Sequence, residues 1–342
     1  MKKIIGYVST RNLPEIKEQD IKDLDVINIA FGHIEEGNAV WNGRDSKSSL
    51  MRIRTINPHI KILLSLGGWS ADGFSQAAMT VEGRKKFAVS GATLIAEYGL
   101  DGIDIDWEYP GSSLAGISSH PDDKQNFTLL LKETREQLNA LGAAKMLTIA
   151  AGGDAYFTRL TEIPEISEYL DYVQLMTYDL QGGFQKVTGH HAALYHGRRN
   201  LLDSCMDKGV RVFRNAGLPS EKIVVGIPFY SRKWEEVKGG GDGLGQEAKT
   251  TGGYGPDFGQ LTKHYIDKQG FCCYWDNEAM APYLFDGSTF ISYENETSIS
   301  KKIDYIKGEG LGGIMFWEYK CDSTETLIPF IRQEMDKKEG KE

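Results

Sequence analysis

Three carboxylates stand two residues apart in an otherwise apolar stretch, residues 101–110, which reads DGIDIDWEYP. In an extended strand the side chains alternate between faces, so Asp104, Asp106 and Glu108 would all point the same way. Burial and mutual repulsion would raise the pKa of at least one of these acids, a condition typical of groups that transfer protons. A solvated edge strand is the alternative, but the isoleucines and the tryptophan between the acids favour a strand enclosed on both faces. The stretch therefore predicts buried acid–base chemistry.

Closely spaced acids among aromatic residues indicate glycoside hydrolysis. This reaction needs a protonated acid at the leaving oxygen and a group that manages positive charge at the anomeric carbon. In the usual two-carboxylate arrangement the acids flank the scissile bond from opposite sides. Neighbouring positions on one strand cannot straddle a sugar ring in that way. The spacing therefore favours a nucleophile that the substrate itself supplies.

Eight short β-rich runs, separated by helical patterns, are the elements that must position these acids. Their repetition predicts βα units and a parallel sheet. Apolar residues at helical spacing predict helices at residues 81–98 and 122–141. The predicted strands cover residues 3–9, 26–31, 60–66, 102–107, 147–151, 172–177, 223–229 and 313–317.

Eight βα units close most naturally into a (β/α)8 TIM barrel, an α/β fold, although the periodicity alone also fits a doubly wound open sheet. Four residues help to decide between the two. Trp69, Glu108, Tyr178 and Trp317 each fall at or just beyond the C-terminal end of a predicted strand. Barrel enzymes build their sites at that end, so we expect the barrel.

The unit between the seventh and eighth strands is far longer than the others. It carries a glycine-rich segment, residues 239–243, and two short β-like runs, residues 271–275 and 290–293. Many aromatic residues argue against a disordered segment here. We expect a small α+β insertion over residues 233–292 that forms one wall of a cleft, with the catalytic barrel formed by residues 1–232 and 293–335.

The charge balance bears on the partners. The chain has 342 residues, with 39 Lys and Arg against 48 Asp and Glu, for a net charge of −9. This balance disfavours nucleic acid or an anionic membrane as the main partner and suits a neutral ligand. No stretch approaches the length of a membrane span. We expect a monomer.

The N-terminal segment and the cysteines bear on the compartment. The apolar run that begins at Ile4 is too short for a secretory leader, because polar residues interrupt it from Ser9 onward. We therefore expect either a cytoplasmic protein or a secreted chain whose leader has been removed. The four cysteines show neither disulfide-framework nor zinc spacing, so buried free thiols are expected.

The stretch at residues 101–110 resembles the D-G-x-D-x-D-W-E-Y-P signature of family 18 glycoside hydrolases, the chitinases that use substrate-assisted catalysis. Further segments are similar to other motifs of this family. They are SLGGWS at residues 65–70, QLMTYD at 174–179, GIPFYSR at 226–232 and GGIMFWE at 312–318. The resemblance covers nearly the whole chain, and the long insertion is similar to that of the deep-cleft subfamily.

The resemblance implies roles for the carboxyl groups. Glu108 would be the general acid that protonates the glycosidic oxygen and then the base that activates water. Asp106 would bind the substrate's acetamido N–H and stabilise an oxazolinium ion. Asp104 would share a proton with Asp106, assisted by Ser65 and Tyr7.

Further residues would shape the sugar site. Tyr178 would donate to the acetamido oxygen, Met176 and Asp179 would shape that pocket, and Trp317 would form its apolar floor. The other expected substrate contacts are Trp69, Tyr7, Phe31, Arg232, Tyr230 and Gly68. No metal, nucleotide or other cofactor is required.

Some interpretations stay open at this stage. Arg232 fits a contact to a neighbouring sugar or to Asp179, and a structural ion pair fits about equally well. His190, His191 and His196 could suggest a metal cluster, but a solvated loop after the sixth strand is the favoured interpretation.

Two functional alternatives accompany the expected hydrolysis of β-1,4-linked N-acetylglucosamine chains, meaning chitin or chitooligosaccharides. One is a chitinase-like lectin that binds the sugar without cleaving it. The other is a hydrolase of peptidoglycan or of the chitobiose core of N-glycans. The retained Glu108 argues against the lectin, because turnover requires a general acid.

Overall fold

The computed structural model describes residues 2–142 and 144–337. These residues contain fourteen β-strands, numbered here in chain order. They are β1 Lys3–Ser9, β2 Val26–Glu35, β3 Asn38–Val40, β4 Lys61–Gly67, β5 Gly102–Asp106, β6 Met146–Gly152, β7 Tyr172–Met176, β8 Ile223–Pro228, β9 Tyr230–Trp234, β10 Gly253–Asp257, β11 Cys272–Asp276, β12 Ala281–Phe285, β13 Phe290–Ser292 and β14 Gly313–Trp317.

Eight of the strands form a closed parallel barrel. Their order around it is β1, β14, β8, β7, β6, β5, β4 and β2, and β2 pairs back onto β1. The expected (β/α)8 barrel is thus confirmed, and the alternative of an open sheet is wrong. Strand β2 extends four residues beyond the predicted end because residues 33–35 pair with β3 in an antiparallel ribbon.

Eleven α-helices accompany the strands in the described part of the chain. They are α1 Glu18–Asp23, α2 Lys47–Ile56, α3 Phe74–Met79, α4 Val81–Tyr98, α5 Asp123–Ala140, α6 Ala155–Arg159, α7 Ile163–Ser167, α8 Met206–Asn215, α9 Phe258–His264, α10 Glu296–Gly308 and α11 Leu327–Asp336. Helix α4 has the predicted bounds. It begins where the Thr80 hydroxyl accepts from the Gly83 backbone N–H and ends at Gly99, whose φ of 63° is left-handed.

Strand β5 shows how the barrel presents the acids. All five of its residues are buried. Ile103 and Ile105 belong to the main apolar core between strands and helices, so Asp104 and Asp106 point to the barrel interior. Just beyond the strand, the ring of Trp107 stacks on that of Phe74 at 5.4 Å between centroids. The apolar side of the strand therefore anchors it while the acids face the barrel axis.

The N-terminal ends of alternate barrel strands share a polar contact. Asp25, Asp101 and Asp171 directly precede β2, β5 and β7, and each carboxylate accepts the backbone N–H of a residue on the neighbouring strand at 2.8–2.9 Å. Each carboxylate also faces an arginine. The pairs are Asp25 with Arg332 at 3.6 Å, Asp101 with Arg54 at 2.8 Å and Asp171 with Arg135 at 2.7 Å.

A second, antiparallel sheet forms between barrel strands β8 and β14. Its strand order is β10, β9, β13, β12 and β11, and α9 follows β10. Only Phe229 separates the end of β8 from the start of β9 at Tyr230, and Arg232 belongs to the second sheet. The proposed division of the chain into domains at residues 232 and 293 stays a prediction.

The cysteines depart from expectation. Cys205 is buried, but Cys272 and Cys273 are exposed on β11, an edge strand of the second sheet. The expectation of four buried thiols is therefore wrong, because edge strands keep one side open to solvent.

Candidate active site

Asp104 lies at the centre of a buried hydrogen-bond network. Its Oδ2 accepts from the hydroxyls of Tyr7 and Ser65, each at 2.8 Å. Its Oδ1 accepts from the Thr148 hydroxyl at 2.7 Å and from the Gln174 amide at 2.8 Å. Burial raises the pKa of Asp104, and these four hydrogen bonds oppose that rise. The carboxyl group is therefore fixed on all sides.

Sequence reasoning missed Thr148 and Gln174, and also Asn28, whose amide donates to the Gln174 carbonyl at 2.9 Å. All three side chains are completely buried. A signal was present, because each is a single polar residue in the middle of an apolar barrel strand. A buried polar side chain in such a strand requires a partner inside the barrel.

Asp106 and Glu108 follow Asp104 toward the mouth of the barrel, and both are at least nine-tenths buried. Burial, Glu108 and Asp104 together raise the pKa of Asp106 well above its usual value. Burial also raises the pKa of Glu108 to about 7, although a hydrogen bond with Tyr109 opposes the rise and the charge of Asp179 adds to it. A carboxyl group with a pKa near neutrality can both donate and accept a proton.

Two glycines let the backbone approach these acids. The Gly67 φ is +119°, and a Cβ there would lie 2.1 Å from the carbonyl oxygen of Asp106. The Gly68 φ is +96°, and a Cβ there would meet the ring of Phe31 at 2.9 Å. The Gly68 backbone N–H donates to the Asp106 carbonyl at 2.9 Å. Gly68 therefore packs against Phe31 beside the acids, and its expected substrate contact stays a prediction.

An aromatic platform adjoins the acids. The Trp317 ring stacks on Phe31 at 5.4 Å between centroids and packs against Tyr7 at 5.6 Å. Met176 and Tyr178 pack in the same cluster. The structure thus brings these five predicted residues together, and an apolar ring face of this kind suits the flat face of a sugar.

Tyr178 connects the platform with the second sheet. Its ring lies 6.2 Å from that of Tyr230 in an edge arrangement. Burial and the charges of Asp106 and Glu108 raise the pKa of Tyr178 well above its usual value, so its hydroxyl stays a donor. Gly226 leaves room for the ring, since a Cβ there would come within 2.8 Å of it.

Asp179 and Arg232 form a bidentate ion pair. The arginine donates from Nε to Oδ1 at 2.6 Å and from Nη2 to Oδ2 at 2.5 Å. Burial alone would raise the pKa of Asp179, but hydrogen bonds from His191 and Arg232 hold it well below its usual range. The structure shows Arg232 paired with Asp179, and its expected sugar contact stays a prediction.

Sequence reasoning missed Tyr254 as a neighbour of this pair. Its ring lies 4.1 Å from the guanidinium carbon of Arg232, and 71% of the residue is exposed. Trp69 is also exposed, at 52%, and its expected sugar contact stays a prediction.

The histidines differ from expectation. His190 and His191 are buried, so the expected solvated loop is wrong at these two positions. The reason is that the loop packs under the second sheet. His190 Nε2 lies 3.1 Å from Asp276, and the His191 backbone N–H donates to the Ser292 hydroxyl at 3.0 Å. Within residues 2–142 and 144–337, no three His, Cys, Asp or Glu side chains are placed to hold a metal ion.

The fold and the site together define the class, a closed parallel barrel with buried carboxyl groups at its C-terminal mouth. The sequence model of "Glycosyl hydrolases family 18" matches residues 3–322. The chain belongs to this family, and the expected glycoside hydrolase is confirmed. In the described part of the chain, no helix is both long and apolar enough to cross a membrane.

Relatives and solved structures agree with this family. Chitinase A1 of Niallia circulans is 38% identical over 301 residues, which are 82% of this chain and 43% of that protein. A family 18 N-acetylglucosaminidase from Paenibacillus barengoltzii superposes with a TM-score of 0.95 at 50% identity, covering 98% of this chain and 100% of the other. Chitinase ChiW from Paenibacillus sp. str. FPU-7 gives a TM-score of 0.93 at 39% identity, covering 99% of this chain and 43% of the other.

Proposed function

We propose that this chain hydrolyses β-1,4-linked N-acetylglucosamine chains with retention of configuration, using the substrate's own acetamido group as the nucleophile. The observation that carries the proposal is the buried row of Asp104, Asp106 and Glu108, in which the pKa of Glu108 is raised to about 7. The three acids come from one strand and its end, so they approach the sugar from one side. A nucleophile on the substrate complements that arrangement.

In the first step the acetamido carbonyl oxygen would attack the anomeric carbon as its bond to the leaving oxygen breaks. Glu108 would transfer its proton to that oxygen, which leaves as a free hydroxyl. Asp106 would accept the acetamido N–H and stabilise the positive oxazolinium ion. Tyr178 would donate to the acetamido oxygen and orient it.

In the second step Glu108, now a carboxylate, would take a proton from water as the water oxygen attacks the anomeric carbon. The oxazolinium ring opens, the acetamido group is restored and the product has the β configuration. Asp104 would take no direct part. Its four hydrogen bonds hold it beside Asp106. There it can share a proton with Asp106 while Asp106 binds the acetamido group.

The mode of cleavage has two candidates. The relatives called endochitinases favour oligomers or polymers cut within the chain. The likeness to an N-acetylglucosaminidase over 98% of this chain favours release of single sugars from a chain end. Both use the same acids, so they differ only in how the cleft holds the rest of the substrate.

The test is a time course with N-acetylglucosamine oligomers of about four to six units, with products resolved by length and by anomer. Early β-configured products from wild type, and none from Glu108→Gln, would support the proposed mechanism. Disaccharide as the first product would favour the chitinase mode, and monosaccharide the exo mode. Binding without cleavage by wild type would favour the lectin, whereas early α-configured products would contradict retention.

A further inference from the structure

We propose that His191 is a positioning residue for the reaction, which fixes the carboxylate of Asp179 beside Glu108 together with Arg232. The inference rests on the proposed function. Arg232 reaches Asp179 from β9, and His191 reaches it from the loop after β7. The two groups meet the same Oδ1 atom, so the carboxylate is held from both the second sheet and the barrel loop.

The imidazole ring has little freedom to move. His191 is completely buried, and its ring lies 5.5 Å from that of Tyr230. Its backbone N–H donates to the Ser292 hydroxyl, and its carbonyl accepts from the Leu180 N–H, both at 3.0 Å. The ring therefore stays where its Nδ1 faces Asp179, at 3.5 Å from Oδ1. That hydrogen bond is longer, and therefore weaker, than the two from Arg232 at 2.6 and 2.5 Å.

The protonation state agrees with this role. Burial lowers the pKa of His191, although Asp179 opposes that change. A neutral imidazole carries one N–H, and Nδ1 is the ring nitrogen that faces an acceptor. Since Asp179 raises the pKa of Glu108 by its charge, a carboxylate that drifts away would leave Glu108 more acidic.

Charged groups from three neighbouring elements surround the imidazole. Asp179 lies on its own loop, Arg232 comes from β9, and Glu294 lies just before α10. Glu294 is itself paired with the buried ammonium of Lys302, which also donates to the Ala192 carbonyl. These two contacts of Lys302 fix the loop next to His191. A substitution at His191 should therefore act chiefly on Asp179.

The alternative is that His191 only fills volume under the second sheet. Two substitutions separate the roles. His191→Asn keeps an N–H near the position of Nδ1, whereas His191→Leu keeps volume without a donor. His191→Met also lacks a donor, and it replaces the leucine variant if that variant does not fold. His59→Leu, at an exposed position near the base of the barrel, is the matched control.

The experiment measures kcat, KM and thermal unfolding from about pH 4 to 9 with an N-acetylglucosamine oligomer. We expect His191→Leu to lower kcat about 10-fold, to change KM less than about 2-fold, and to move the basic limb of kcat down by about half a pH unit. His191→Asn should recover most of the rate, and His59→Leu should match wild type.

Two results would overturn the role of His191 alone. One is an unchanged rate and basic limb in a folded His191→Leu or His191→Met variant. The other is equal loss in the asparagine and leucine variants, which would mean that volume matters and the donor does not. An inactive wild type would overturn the proposed function, and this inference with it, so the two failures are distinguishable.

Discussion

The two ends of the barrel treat carboxyl groups in opposite ways. At the N-terminal end Asp25, Asp101 and Asp171 each accept a backbone N–H and face an arginine. At the C-terminal mouth Asp106 and Glu108 are more deeply buried, and their strongest charged neighbours are other acids.

The difference teaches what each end is for. A carboxylate that faces an arginine and accepts a backbone N–H from the neighbouring strand ties two strands together. A carboxyl group buried beside like charges holds its proton to a higher pH, which costs stability in the ionised state and equips the group for proton transfer. The barrel thus places its stabilising acids at one end and its reactive acids at the other.

Loss of the Glu108 acid should have the largest effect. Glu108→Gln keeps the shape of the side chain but cannot donate the proton. We expect kcat to fall by about 10³-fold or more, with oligomer binding retained. Steady-state kinetics together with calorimetric titration check both parts. A folded variant that keeps a tenth of the wild-type rate would contradict the role.

The Asp104 network should give the next largest effect. Thr148→Val removes one hydroxyl that donates to Asp104 at 2.7 Å, without a large change in volume. We expect kcat to fall about 10-fold with KM nearly constant, because a hydrogen bond to a buried charged group is worth about 1.5–3 kcal/mol. Thr134→Val is the matched control, since Thr134 is equally buried but donates within α5. Equal rates in both variants would mean that the network is only structural.

The same Glu108→Gln variant should be more stable than wild type at alkaline pH. The pKa of Glu108 is raised from 4.5 to about 7 by folding, so the folded state binds the proton more tightly than the unfolded state. Stability should therefore fall as the pH rises through this interval, and the glutamine variant should escape that loss. We expect a gain of about 2 kcal/mol in unfolding free energy at about pH 8 and almost none near pH 4. Denaturant unfolding at both pH values checks this, and equal gains at both would refute the linkage.

The N-terminal end should give the smallest effect and no change in chemistry. Asp101→Asn weakens the pair with Arg54 at 2.8 Å and the bond from the Ile62 N–H at 2.9 Å. We expect a loss of about 1 kcal/mol in unfolding free energy and an unchanged kcat. Asp45→Asn, at an exposed position, is the control for the change of charge. A lower kcat with unchanged stability would reverse the comparison between the two ends.

Most of the fold could be predicted because most barrel strands are short apolar runs separated by helical patterns. Strand β14 and helix α4 have the predicted bounds, and the acids of β5 point inward as the alternation of side chains requires. The end of β2 could not be predicted, since its last residues pair with a partner strand that only the folded chain supplies.

Only part of the candidate site was predicted from the sequence. The carboxyl groups and Trp317 were found from the motifs, and Thr148 and Gln174 could have been found from single polar positions in apolar strands. The burial of His191 could not be predicted from the sequence, because it depends on how the second sheet covers the loop after β7. Contacts between segments far apart in the chain leave no local pattern in the sequence.

The most direct test of the account is the titration of the Glu108 carboxyl group by carbon-13 NMR, with glutamate labelled at its carboxyl carbon and Glu108→Gln used to assign the signal. The contrast between the two ends of the barrel predicts a titration midpoint, the pKa, of about 7 for Glu108 in the protein without substrate. A midpoint at the ordinary value of 4.5 would contradict it, because Glu108 would then be ionised at neutral pH and could not serve as the acid.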